Sequence, residues 1–151
     1  MRVRSHSRPA TTMVEYAVVG SATFVILLGL LIGGLGIFRY QQVARLARDA
    51  SRWASVHGTD YAKDTKNPAP TALDVYNQVV VPNAAALDLT DDLTYSVTWN
   101  ASNSPYHWAT VGGQKVKVAN TVTVTITYQW IPEAFLGGIT LTSTAVSVMS
   151  Y

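Results

Sequence analysis

The sequence predicts an α+β fold: a long amino-terminal helix, membrane-spanning and then amphipathic, packed on a small antiparallel β-sheet. Three observations predict it. An uncharged apolar run of 23 residues lies near the amino terminus. An amphipathic pattern continues it, with no Pro or Gly between Arg39 and His57. Over roughly the last 60 residues, apolar and hydroxyl side chains alternate with period two.

Composition agrees with that division. The chain has 151 residues, enough for one domain. Charged residues make up 13% of it, against ~25% in an ordinary soluble domain. Hydrophobic residues reach 48%, so an ordinary cytosolic globule is a poor description. The formal net charge of +2 and pI of about 9.0 would by themselves suggest nucleic acid or an acidic surface as partner. Cysteine is absent, which excludes a disulfide scaffold, cysteine–zinc sites and thiol catalysis.

The apolar run is Tyr16 to Phe38. As a helix it spans roughly 34 Å at ~1.5 Å per residue, enough for a ~30 Å hydrocarbon core. Two other readings compete. A domain this small can hardly surround 23 apolar residues as a core helix. A cleaved secretory signal would use Arg2, Arg4 and Arg8 as its basic region, but its apolar part is usually ~7–15 residues. No A-x-A cleavage pattern follows either; the chain proceeds into Arg39-Tyr40-Gln41-Gln42.

Beyond it, Val43, Leu46, Ala47, Ala50, Trp53, Ala54 and His57 share one helical side. Arg45, Arg48, Asp49, Ser51, Arg52 and Ser55 fall mostly on the other, with Arg45 and Asp49 at i,i+4. One helix from about Thr12 to His57 is expected, with Gly58 as its stop. Residues 59–70 are polar, contain Pro68 and Pro70, and read as a loop. Thr71 to Val81 reads as a short helix with a Thr71/Asp74 capping box, ended by Pro82, with Leu73, Tyr76 and Val80 inward.

Then come the strands. Leu93, Tyr95, Val97 and Trp99 alternate with Thr94, Ser96 and Thr98. Val122, Val124, Ile126, Tyr128 and Trp130 alternate with Thr121, Thr123, Thr125, Thr127 and Gln129. Gly112-Gly113 is a turn candidate, and Gly137-Gly138 precedes a last Thr/Ser/Val-rich strand from Ile139 to Ser150. Short turns favour an antiparallel meander, with the amphipathic half of the long helix over one face.

One constellation carries function. Arg8-Pro9-Ala10-Thr11-Thr12-Met13-Val14-Glu15-Tyr16 joins a basic leader to an apolar helix, with a single acid at the helix start. An ionisable group there is costly unless paired or held at the interface. This arrangement resembles a type IV pilin leader. The Glu-Tyr pair resembles the tight-adherence branch, and the chain is most similar to its TadE-like minor pilins or pseudopilins. Arg45-Leu-Ala-Arg-Asp-Ala-Ser-Arg-Trp-Ala-Ser-Val-His-Gly58 looks like that family's post-membrane helix, and Gly138 to Met149 like its closing strand. The resemblance covers both ends, roughly half the chain. Position 10 is Ala where the family usually has Gly, so a small residue is kept. Pro9 favours extended backbone at Arg8, which suits a protease substrate.

The resemblance implies a pilin-like fold and a prepilin leader at 1–10. It further implies a transmembrane helix at 11–38, an amphipathic continuation at 39–58 and an extracytoplasmic α+β domain at 59–151. A membrane prepilin peptidase would cut between Ala10 and Thr11, making Glu15 the fifth residue and Tyr16 the sixth. The cut creates an α-amine on Thr11, positive near neutral pH with a pKa of about 8. Glu15 of one subunit can then pair with the Thr11 amine of its neighbour, because either charge alone is expensive in an apolar setting. The implied partners are the prepilin peptidase, other minor and major pilins, the inner-membrane pilus platform and the lipid bilayer. The implied location is the inner membrane, with the amino terminus inside. Charge alone does not orient the helix, because Arg2, Arg4 and Arg8 face Arg39, Arg45, Arg48 and Arg52 across it.

Two residue sets have a second reading. Thr12-Met13-Val14-Glu15 is also a capping-box pattern, in which Glu15 only satisfies the first helix amides. Gly29 and Gly33 form a G-x-x-x-G, a packing face for a partner helix or simply ordinary membrane-helix glycines. Gly33, Gly34 and Gly36 together can also weaken the helix locally.

Other signals point away from catalysis. His6, His57 and His107 are isolated from one another, so no metal site is expected. No nucleophile-elbow, dinucleotide or Walker pattern occurs, no cofactor is expected, and Asp91-Asp92 reads as a solvated turn. Lys115 and Lys117 near Trp108 either touch a ligand or protect a strand edge. Trp53, Trp99, Trp108 and Trp130 read as core or interface anchors. The expected function is structural, in initiating, capping or regulating a filament; the alternative is an anchored extracytoplasmic binding domain that does not polymerise. An anchored enzyme lacks a catalytic constellation. Removing Met1 to Ala10 leaves eight Lys and Arg against nine Asp and Glu. The basic pI then belongs to the leader and gives no support to nucleic acid as partner.

Overall fold

A computed structural model describes residues 9–84, 87–89, 92–132 and 137–151, with side chains from Thr12 onward. Arg2, Arg4 and Arg8 of the leader, and Asp91 of the acid pair, lie outside the described residues. The chain is α+β and forms two compact units, Met1–Gly36 and Ile37–Tyr151.

One helix, α1, runs from Pro9 to Val56 without interruption, 48 residues. Pro9 suits its first position, because the N–H that proline lacks would find no intrahelical acceptor there. The glycines at 33, 34 and 36 do not break it. In the first unit its apolar side chains are bare: Met13, Tyr16, Phe24, Val25 and Leu30 are all exposed. None of its most apolar 18-residue window is buried, and it is long and apolar enough to cross a membrane.

In the second unit α1 becomes the cover of a sheet. Val43, Leu46, Ala47, Ala50 and Ala54 are buried. Ser51 and Ser55, expected on the solvent side, are buried as well. The Ser51 hydroxyl lies 3.0 Å from the Arg48 carbonyl and 3.0 Å from the Ser147 hydroxyl across the interface. The Ser55 carbonyl accepts from the Ser150 amide at 2.9 Å. Small polar side chains satisfied in this way let helix and sheet approach closely, which the apolar stripe alone does not reveal.

Gly58 stands just past the end of α1 at Val56, the stop expected. Its φ of −92° suits any residue, and it serves as the N-cap of a second helix, α2, Thr59–Thr65. A Cβ there would meet the Tyr151 and Asn103 carbonyl oxygens. The loop expected over 59–70 is therefore partly helical. Asp60 and Lys63 pair at 2.8 Å along α2, and Lys66 ends it in the left-handed conformation.

The capping box at Thr71 is present. The Thr71 hydroxyl accepts from the Asp74 amide, and the Asp74 carboxylate accepts from the Thr71 amide. It opens α3, Ala72–Val75, which passes into a π-helical turn, Tyr76–Val80, and then α4, Val81–Asn83. The wide turn adds a residue and rotates the inward face. Val75, Val79 and Val80 are buried, Leu73 is exposed, and Tyr76 is half-buried against Tyr95 at 4.3 Å. Pro82 does not end the segment; Asn83 follows it in α4, and its side-chain Nδ2 donates to the Val79 carbonyl at 2.8 Å.

Among the described residues five strands follow: β1 Leu93–Trp99, β2 Tyr106–Val111, β3 Gln114–Ala119, β4 Thr121–Trp130 and β5 Ile139–Val148. They do not form a simple meander. β1 pairs antiparallel with β4, and β4 with β5, giving the order β1-β4-β5. β2 and β3 form a separate two-stranded ribbon. Its neck closes where Asn100 donates to the Thr121 carbonyl at 3.1 Å and Thr121 donates to the Asn100 side chain at 2.9 Å. Period two holds throughout the sheet. Val122, Val124, Ile126, Tyr128 and Trp130 are buried, while Thr125 and Thr127 pair with Thr144 and Thr142 on the opposite face.

Candidate functional site

The residues singled out at the amino terminus all lie on α1. Ala10 and Thr11 are its second and third residues, so the bond expected to be cut sits in the first turn. Amides there have no intrahelical acceptors. The extended backbone expected at Arg8 lies outside the described residues.

Glu15 is the seventh residue of α1, exposed in the second turn. The capping-box alternative requires Thr12 to stand outside the helix. The helix begins three residues earlier, so Glu15 does not close such a box. Thr12, Glu15, Tyr16 and Val19 line one side at i, i+3, i+4 and i+7 spacing. Gly33 lies 18 residues beyond Glu15, about five turns, which returns it to the same azimuth. Gly29 is about 40° away from that line. Beyond the helix's own adjacent backbone, nothing lies within 4 Å of where a Cβ would sit on either glycine. Glu15, Gly29 and Gly33 thus form one open stripe, a relation set by the unbroken helix.

A second feature was not foreseen. Trp53, His57, Tyr61, Asn67, Pro68, Pro70, Asp74 and Gln78 line a groove of about 470 Å³. The Trp53 and His57 rings stack at 4.0 Å, and Tyr61 meets His57 edge-on at 4.5 Å. His57 Nδ1 lies 2.8 Å from the Trp53 carbonyl, which places the N–H on that nitrogen. The signal was the i, i+4, i+8 spacing of Trp53, His57 and Tyr61. It was hidden because Tyr61 lies across a helix break, in a segment expected to be loop.

Three groups around this end of the domain have shifted acidities. The Thr71 amide and hydroxyl hold the Asp74 carboxyl below its ordinary value. The hydrogen bond to Asp60, and then its charge, raise Lys63. The hydrogen bond to Asp64 raises the Tyr151 phenol. Each is a short-range effect on an exposed group. Among the described residues no cluster of His, Asp or Glu can hold a metal ion.

No protein-family model, curated protein or solved structure matches the chain.

Proposed function

We propose that the chain is a minor pilin or pseudopilin, similar to the TadE-like proteins of tight-adherence pilus systems. It is inserted in the inner membrane with its amino terminus inside and cut by a prepilin peptidase after Ala10. It then acts structurally to initiate, cap or regulate a filament. The observation that carries this reading is the division of α1. One continuous 48-residue helix is bare and apolar in its first half and bound to a sheet in its second. A soluble domain does not leave such a helix uncovered, whereas lipid and neighbouring helices would cover all of it. The one acid of that bare first half, Glu15, shares the open stripe with Gly29 and Gly33.

On this reading the stripe is the face along which neighbouring helices meet. The small glycines let helix backbones approach, which favours association in an apolar medium. The Thr11 amine freed by processing pairs with Glu15 of the adjacent subunit. Leaving either charge unpaired there is unfavourable, so the pair sets axial register as well as attraction. The other pilins, the inner-membrane platform and the bilayer are the partners this mechanism requires.

Glu15→Ala separates this reading from a permanently anchored domain that does not polymerise. The variant should still be processed, because the cut lies five residues earlier, but should fail to co-purify with partner pilins. Unchanged co-assembly of Glu15→Ala would refute the pairing role.

A further inference from the structure

We propose that the outward face of the β2–β3 ribbon binds an acidic polysaccharide. Trp108 stacks on a sugar ring, and Lys115 and Lys117 engage its carboxylates. This goes beyond the assembly reading and does not depend on it.

The register defines the face. Tyr106 lies opposite Ala119, Trp108 opposite Lys117, and Thr110 opposite Lys115. Side chains two residues apart on a strand share a face, so these six stand together. All six are exposed, and Trp108 is 63% exposed. The ribbon is held from behind: on its reverse side His107 bonds through Nδ1 to the Asn120 side chain at 2.6 Å, and Asn120 is fully buried. The back is tied to the domain at its His107 end, while Val111 and Val116 on that side are exposed toward the tip.

The front is organised before any ligand arrives. The Tyr106 and Trp108 rings meet edge to face, 6.3 Å apart at 87°. The Lys117 ammonium sits 3.5 Å above the Tyr106 ring. These contacts hold the indole and one cation in a fixed relation, which lowers the ordering cost of binding.

Charge selects the ligand class. From Tyr106 to Ala119 there are two lysines and no acid. Among the described residues neither lysine has a carboxylate partner; the ion pairs are Arg45–Asp49 and Lys63–Asp60. The two lysines are separated by roughly 7 Å along the strand. Two cations are few for a nucleic-acid surface, where binding neutralises many phosphates, and suit a polyanion that needs little charge neutralised. A pyranose ring has a C–H face that lies flat on an indole and a rim of hydroxyls within reach of Thr110. Edge protection accounts for lysines on a strand but leaves the bare tryptophan beside them unexplained.

The test uses the full chain in detergent micelles and surfaces bearing polygalacturonate, uncharged dextran or duplex DNA. Polygalacturonate should be bound, with dextran and DNA bound at least about tenfold more weakly. Trp108→Ala should weaken polygalacturonate binding about tenfold or more, and Trp108→Tyr should restore part of it. The joint variant Lys115→Gln with Lys117→Gln should also abolish most binding. All these variants should keep the wild-type melting temperature, because the replaced groups are exposed. Failure of the wild-type chain to bind polygalacturonate would overturn the proposal. So would equal binding to DNA or dextran, or a Trp108→Ala variant that binds normally.

Discussion

Gly58→Ala tests how tightly the end of α1 is locked to the sheet. The backbone there, φ −92° and ψ −159°, admits alanine without strain, so the cost is purely steric. The added methyl would overlap the Tyr151 carbonyl oxygen and lie 2.8 Å from that of Asn103 and 2.9 Å from Met149 Cε. The methionine tip can swing away. The two oxygens cannot, because they accept from the Gly58 amide at 2.8 Å and the Thr59 amide at 2.6 Å. Relief must lengthen at least one of those bonds. Overpacking costs about 1–3 kcal/mol and a weakened hydrogen bond about 1 kcal/mol more, so the loss should be about 2–4 kcal/mol. For a unit of this size that corresponds to a fall of roughly 8–16 °C in melting temperature. The assay is thermal unfolding of the full chain in detergent, followed by near-ultraviolet circular dichroism. Gly33→Ala is the control: beyond the helix's own adjacent backbone, nothing lies within 4 Å of its added methyl, so the melting temperature should stay unchanged. A Gly58→Ala variant within about 2 °C of wild type would refute the steric account.

Asn120→Leu should destabilise the domain by about 2–4 kcal/mol in urea unfolding, because it strands the Ser102 and Ser104 carbonyls and the His107 ring that the buried amide serves. The Asp74 carboxyl has a lowered folded pKa, so its cap is fully present above the ordinary carboxylate value and is lost as pH falls through the folded value. Acid titration followed by amide NMR should show Thr71 losing its protected shift in that range, and Asp74→Asn should remove the pH dependence. The Tyr151 phenol has a raised folded pKa, so its bond to Asp64 contributes below the ordinary tyrosine value and is lost as pH rises through the folded one. Tyr151→Phe should flatten the alkaline limb of the stability profile.

Much of the fold was legible because it rests on simple periods. The alternation in Val122–Trp130 identified both the strand and its buried face, and the uninterrupted stretch after Phe38 identified one continuous helix. The departures have local causes. α2 was hidden because Thr59–Thr65 buries none of its residues and so shows no apolar period. Leu73 was assigned inward because a regular helix was assumed, and the π-helical turn rotated the face to Val75 and Val79. Ser51 and Ser55 looked solvent-facing because their burial depends on Ser147 and Ser150, some 95 residues away. The β1–β4 pairing was not readable, because sequence neighbours such as β2 compete for the same edge. Of the candidate site, Glu15, Gly29 and Gly33 were singled out by type and position, and their alignment on one stripe required the helix to be unbroken. The Trp53–His57–Tyr61 groove crosses two helices and needed three dimensions.

The central claim is that α1 begins as a prepilin segment and is trimmed before it works. Intact-mass spectrometry of the chain co-expressed with an active prepilin peptidase tests it most directly. The account predicts loss of residues 1–10 to leave Thr11 at the amino terminus, and a block to that loss when Ala10 is replaced by Trp. An uncut chain, alongside a control substrate that the same peptidase cleaves fully, would contradict it.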